Sequence, residues 1–299
     1  MSIFTALVKR NVTLFFKDKG TFFTSLITPF ILLVLYATFL GDIYRDTFVM
    51  NLPQGISLPD TLLDGLVGGQ LMSSILSVSC VTVAFGANFL MVQDKVRGSS
   101  KDLRISPVPS STLSLAYYAA TLLSTLLICL VAVGACLVYV YVVGWYLPAV
   151  DVGWLLLDVV LLTFFGTALS SLVNRFLSTQ GQISAVGSIV SSCYGFICGA
   201  YMPIASFGEG LQTAVSFLPG TYGTALLRTH SLRGPMAEMQ RLGVPDTVIQ
   251  ELKDALDCRI YFNGQAVEIP AMYLILGGAV AVLVAVFLLI SLTQKKAQK

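Results

Sequence analysis

Charged side chains are scarce in this sequence. Asp, Glu, Lys and Arg make up 11% of its 299 residues, where an ordinary soluble domain carries about 25%. A soluble protein of this length needs far more charge to cover its surface, which argues against a free-standing globular enzyme. Histidine is scarcer still: His230 is the single one. The six cysteines form no Cys-x-x-Cys pair and no Cys/His cluster, which argues against a zinc site. Cys80, Cys129, Cys136, Cys193 and Cys198 sit in apolar runs and read as small buried hydrophobes, while Cys258 lies in a polar stretch with no obvious disulfide partner. A phosphate-cradling Gly-x-x-x-x-Gly-Lys-Ser/Thr loop is missing, since none of the nine lysines follows a glycine. A small-x-small cleavage site after the first apolar run is missing too, and Lys9, Arg10, Lys17 and Lys19 lengthen the charged segment before it. That run therefore reads as a permanent span and not as a secretory signal.

What is abundant is apolar sequence, 56% of the chain, gathered into long uncharged runs. A hydrocarbon core about 30 Å thick needs about 20 helical residues, and the chain supplies such runs six times, at 21–40, 65–92, 113–143, 153–173, 179–200 and 269–293. The expected fold is an all-α integral membrane domain of six spans occupying residues 1–299. Residues 1–19 precede the first span as an amphipathic interfacial helix: Ile3, Phe4, Leu7, Val8, Leu14 and Phe15 share one face, and Thr5, Lys9, Thr13 and Lys17 the other. Pro29 marks a kink in the first span. Residues 93–112 form a loop between the second and third spans. Between the fifth and sixth, residues 201–268 contain a short apolar piece at 210–227, read as part of a re-entrant or interfacial hairpin, then an amphipathic helix at 244–256 and a short strand at 267–269.

Loop charge sets the orientation. With the N-terminus inside, the inner segments hold twelve Lys and Arg against Asp18, Asp94 and Asp102, a net of 12 − 3 = +9. The outer segments hold the other six basic and thirteen acidic residues, 6 − 13 = −7. Both termini and the 93–112 loop are therefore expected in the cytoplasm, where Asn11-Val12-Thr13 cannot be glycosylated. Tyr139, Tyr141, Trp145, Tyr146 and Trp154 read as interfacial belts around the third and fourth spans. Asp158 is an acid near the outer end of a span. It is open to a functional role, or to simple contact with interfacial water. His230, beside Arg228 and Arg233 in the outer polar stretch, reads against intramembrane nucleophilic catalysis.

The most informative segment is Gln93-Asp94-Lys95-Val96-Arg97-Gly98-Ser99-Ser100-Lys101-Asp102-Leu103-Arg104-Ile105-Ser106-Pro107-Val108-Pro109. Acid and base alternate, a Gly-Ser step follows, and a short helical piece ends at Ser-Pro. On pattern alone this is either a surface helix that grips a soluble partner or a loop that only fixes topology. The segment resembles the loop after the second span of ABC-2 transporter permeases, with Asp94 as the leading acid, Gly98-Ser99 as a Gly-Thr step and Ser106-Pro107-Val108 as the ending. Val96 departs from the second acid that many members carry there. Gly199-Ala200-Tyr201-Met202-Pro203, Leu218-Pro219-Gly220-Thr221-Tyr222 and Leu226-Leu227-Arg228 resemble the run that follows the fifth span in the same family, and the N-terminal helix resembles its connecting helix.

The resemblance implies a transport subunit that is not itself an enzyme. ATP and Mg would be bound by a separate ABC ATPase subunit, and the machine would hold a second permease, as a homodimer or a paired permease, in a bacterial plasma (inner) membrane. Nucleic acid has no part in it. Coupling to the ATPase would fall to Asp94, Lys95, Arg97, Gly98, Ser99, Lys101, Asp102, Arg104 and Pro107. Gly195 and Gly199, spaced Gly-x-x-x-Gly in the fifth span, either pack tightly within the subunit or meet the second permease, and the resemblance favours the latter. Leu66-Val67-Gly68-Gly69-Gln70 looks like an ABC ATPase signature, but without a phosphate loop it reads as a close-packing helix start. The expected cargo is an amphiphilic or hydrophobic compound such as a drug, an antimicrobial peptide or a lipid-like molecule. The alternatives are export of a polysaccharide or lipid-linked glycan and, in another class, an ATPase-independent secondary transporter or channel.

Overall fold

The computed structural model of the chain describes residues 2–35, 38–39, 41–51, 58–105 and 108–296, with residues 24, 27, 28, 43, 47, 49–51, 101, 104 and 293–296 described in backbone only. Pro107 and Ser106, the last residues of the first expected span and residues 297–299 lie outside the described residues. Helix α1, Ile3–Lys17, starts at Ser2, whose hydroxyl accepts from the Thr5 N–H. It buries Leu7, Asn11 and Phe15, one residue per turn, and packs mainly on α6, Ser110–Val143. The expected apolar face divides: Leu7 and Phe15 turn into the protein, while Ile3, Phe4 and Leu14 stay exposed. α2, Lys19–Leu35, holds Pro29 inside it, and α3 covers Gly41–Asn51.

The organising element is α4, Asp60–Val96, whose 37 residues span about 55 Å at about 1.5 Å each. It is buried along most of its length between α2, α6, α7 (Ala149–Phe176), α8 (Gln180–Ile197) and α10 (Pro219–Arg241). Small residues allow that crowding. Gly68 faces Val140 and Val143 of α6, and a Cβ on Gly69 would stand 2.8 Å from the Ser231 carbonyl of α10. The Leu66–Gln70 stretch is thus a close-packing segment. α6 and α12, Ile269–Lys296, lie at the periphery and leave Leu127, Val131, Val138, Leu274, Val282 and Leu289 exposed. An apolar exterior of that extent suits lipid and not water. α4, α6, α7 and the Ile269–Leu292 part of α12 are each long and apolar enough to cross a membrane.

The region after α7 departs from the sequence expectation. α8 begins at a capping box, with Thr179 and Gln182 each accepting from the other's N–H. It ends beside Val78, halfway along α4, where Tyr194, Cys198 and Ala200 cluster. The apolar piece at 210–227 is divided between α9, Glu209–Ser216, and α10, and α10 runs on to Arg241 through residues expected in an outer polar loop. α10 starts at mid-bundle, with Gly220 against Tyr194 and Phe165, and reaches the end of the bundle where Gly234 meets Tyr146. α11, Asp246–Ala255, agrees with the amphipathic helix expected at 244–256. The expected strand at 267–269 is instead a two-residue hairpin, β1 Tyr261–Phe262 with β2 Gln265–Ala266, turned by Asn263 and Gly264 at φ 48° and 78°. Val267 only extends that ladder by one bond to Ile260.

Gly234 sets how closely α10 approaches the α6–α7 connection: a Cβ there would lie 1.9 Å from the Tyr146 carbonyl oxygen. Backbone cannot yield as a side-chain tip can. Gly234→Ala should therefore cost about 2–3 kcal/mol. Thermal unfolding in mild detergent, read by a dye that reports exposure of the buried cysteines, checks this against Gly277→Ala, where a Cβ meets nothing within 4 Å.

Candidate functional site

The end of the bundle that carries α5, Ser99–Ile105, is tied together by the charges of the 93–112 loop. Gly98 sits at φ +85°, a left-handed conformation that glycine adopts without strain, and it turns the chain from α4 into α5. Asp94, expected among the residues that grip a partner, is turned inward and 4% exposed. Arg10 of α1 donates to its two carboxylate oxygens at 2.9 and 3.2 Å, and the Tyr117 hydroxyl of α6 donates at 2.6 Å. Lys95 is also used within the chain: its Nζ donates to the carbonyls of Asn174, Arg175 and Leu177 at 3.2, 2.7 and 3.0 Å, capping the C-terminus of α7. Asp94 and Lys95 together join α1, α4, α6 and α7.

What remains outward is narrower than the sequence suggested. Arg97 and Asp102 are exposed, and Ile105 is 84% exposed. Ser99 is half-buried at the start of α5. Leu103 packs against the cluster of Leu7, Met91, Leu113, Ala116 and Tyr117. α5 is thus seated by Leu103 on α1, α4 and α6, and it presents Ile105 between ionic neighbours.

A second set of charges lies deep in the protein, on α10. Arg228 is completely buried, donates to Asp257 at 3.0 Å and donates to the Gly199 carbonyl. Asp257 also accepts from the Ile204 and Ala205 N–H groups at 2.5 and 3.1 Å. Burial pushes the Asp257 carboxyl up, and the Arg228 guanidinium and the two N–H donors pull it back down. Gly199 itself stands at φ +76° against Ile204, and a Cβ on Gly195 would fall 2.3 Å from the Tyr201 ring. Both glycines are filled by their own chain. Cys258, next to Asp257, is buried, and burial pushes its thiol up to about 12, so it is an inert thiol.

Two residues further along α10, His230 and Asp158 of α7 meet at 2.6 Å, the Tyr273 hydroxyl of α12 donates to Asp158 at 2.5 Å, and Trp154 stacks on the imidazole with ring centres 5.8 Å apart. Arg233 pairs with Asp151 at 2.8 Å, further along the same two helices. The sequence showed Asp158 and His230 separately and assigned neither a partner. The signal available was that the only histidine and the only acid inside an expected span each needed one. This network fastens α10 to α7 and α12.

A helical domain with four helices long and apolar enough to cross a membrane, an apolar exterior, and buried ion pairs inside it, is that of a multi-pass membrane protein. The model of the ABC-2 type transporter family matches residues 3–230, and the chain belongs to that family. It is a transport domain of that family and not a nucleotide-binding one. Neither a curated protein nor a solved structure matches the chain.

Proposed function

We propose that this chain is the permease subunit of an ATP-driven exporter, crossing the membrane six times with both termini in the cytoplasm, driven by a separate ABC ATPase that docks on α5. One observation carries the reading. α5 and the turn before it present Ile105, Asp102 and Arg97 outward while Leu103, Asp94 and Lys95 connect the same segment to α1, α4, α6 and α7. A force applied at α5 therefore reaches four helices at once, as a drive without its own nucleotide site requires. The long apolar exterior and the scarcity of charge favour an amphiphilic or hydrophobic cargo. Affinity purification of the tagged chain should bring down a Walker-motif ATPase in stoichiometric amount. Transport-competent protein that purifies alone would defeat the reading.

A second permease would pack on the outward face of α8, where Ser184, Ser188 and Ser192 recur once per turn and are exposed. Small residues at that spacing let helices approach closely, and Gly195 and Gly199 are occupied internally. Cys193, the exposed one of six cysteines, adjoins that face. A short bis-maleimide should crosslink two wild-type copies through Cys193, and Ser188→Leu should reduce the yield at least about fivefold. Equal yields in the two proteins would move the contact elsewhere.

A further inference from the structure

At the end of the bundle away from α5, the last turns of α10, α11, the β-hairpin and the first turn of α12 enclose a cavity of about 510 Å³. That size lies within the range of about 300–1,000 Å³ typical of small-ligand sites. Its walls are of two kinds. Met236, Ile249 and Met272 form an apolar floor. Arg233, Lys253 and Arg259 face the same space with Glu268 as the only acid, so the lining carries a net +2.

The cations differ in how far their charge is already answered. Arg233 pairs with Asp151 at 2.8 Å. Arg259 donates to Gln250 and stands 3.7 Å from a half-exposed Asp254, a weak pairing in reach of water. Lys253 makes no ion pair among the described residues. An apolar floor beneath a positive lining suits one ligand chemistry: an anionic head, phosphate or carboxylate, on an apolar tail.

We propose that this cavity binds an anionic amphiphile, with Lys253 and Arg259 on its head group and Met236, Ile249 and Met272 along its tail. The site is built mostly from residues beyond the stretch that matches the family. It sits at the opposite end of the bundle from α5, and its binding is measured without any ATPase. The source of the ligand is either a membrane lipid or a free amphiphile, and the head-group chemistry is the same for both.

The test uses the full-length protein purified in non-ionic detergent. Calorimetric titration with octyl phosphate, monomeric at the concentrations needed, should show one saturable site. Octanol, which lacks the charge, should bind at least about tenfold more weakly. Lys253→Glu should weaken octyl phosphate binding by about tenfold or more. Ala237→Trp should do the same by filling the cavity from its exposed rim, which leaves the core untouched and guards against a misfolded charge variant. A parallel native mass spectrum should separate the sources: selective retention of phosphatidylglycerol over phosphatidylcholine, lost in both variants, assigns the site to lipid, and octyl phosphate binding without such retention assigns it to a free amphiphile. The proposal is overturned if wild type binds neither probe, or if both variants bind as wild type does.

Discussion

Arg228→Met should destabilise the protein by about 3–5 kcal/mol, the largest single loss expected. The guanidinium is fully buried and holds two strands of chain that are otherwise far apart in sequence: Asp257 after α11, and the Gly199 carbonyl where α8 ends. Methionine fills much of the volume but leaves the Asp257 carboxylate buried without its counter-charge, and uncompensated burial is the dominant cost. The double variant Arg228→Met/Asp257→Asn should regain at least half of the loss, because asparagine carries no charge to strand. Dye-reported thermal unfolding distinguishes the cases. If the double variant is no better than the single one, the guanidinium stabilises by packing and by its bond to Gly199, and the ion pair contributes little.

Asp94→Ala should cost about 2–4 kcal/mol, a large loss for a charged residue in the last turn of α4. Its carboxylate receives two bonds from Arg10 and one from Tyr117, and it is 4% exposed. Removing it strands a half-buried guanidinium and a buried hydroxyl together. The loss should appear as unfolding at lower temperature and as early detachment of α1, seen by proteolysis near Lys9 and Lys17. Reversal of Asp94 is for that reason a poor probe of ATPase docking, since it would abolish activity by loosening α1. Wild-type stability in Asp94→Ala would mean that the Arg10 contact is a solvated surface pair.

The four helices α4, α6, α7 and α12 were legible because each carries 24 residues or more of apolar, almost uncharged sequence. α1 and the Gly98 turn were legible from an apolar face at helical spacing and a single glycine between charged residues. α10 was not. Arg228, His230 and Arg233 make its second half read as a polar outer loop, and the partners that allow its burial lie 29 residues away at Asp257 and 72 away at Asp158. A local pattern carries no trace of a distant counter-charge. The Gly195–Gly199 spacing was visible, and both of its readings, internal packing and subunit contact, were open. Within this chain, Gly199 leaves the helix at positive φ, and Tyr201 folds back over Gly195. Asp94 and Lys95 read as outward-facing because charges in a short connection between spans usually are, and only the approach of α1 and the C-terminus of α7 turns them inward.

The outward face of α5 is the surface through which a partner ATPase would drive the bundle. Ile105 is 84% exposed and touches nothing that the fold needs, so Ile105→Asp should leave unfolding temperature and membrane insertion unchanged. In the complex of permease and ATPase reconstituted in liposomes, the same change should reduce cargo-stimulated ATP hydrolysis at least about tenfold, a loss of about 1.4 kcal/mol or more in coupling, and reduce transport in step. A buried carboxylate at an apolar contact accounts for a loss of that size. Cargo-stimulated hydrolysis at the wild-type rate in a folded Ile105→Asp complex would contradict the claim that the ATPase drives this permease through α5.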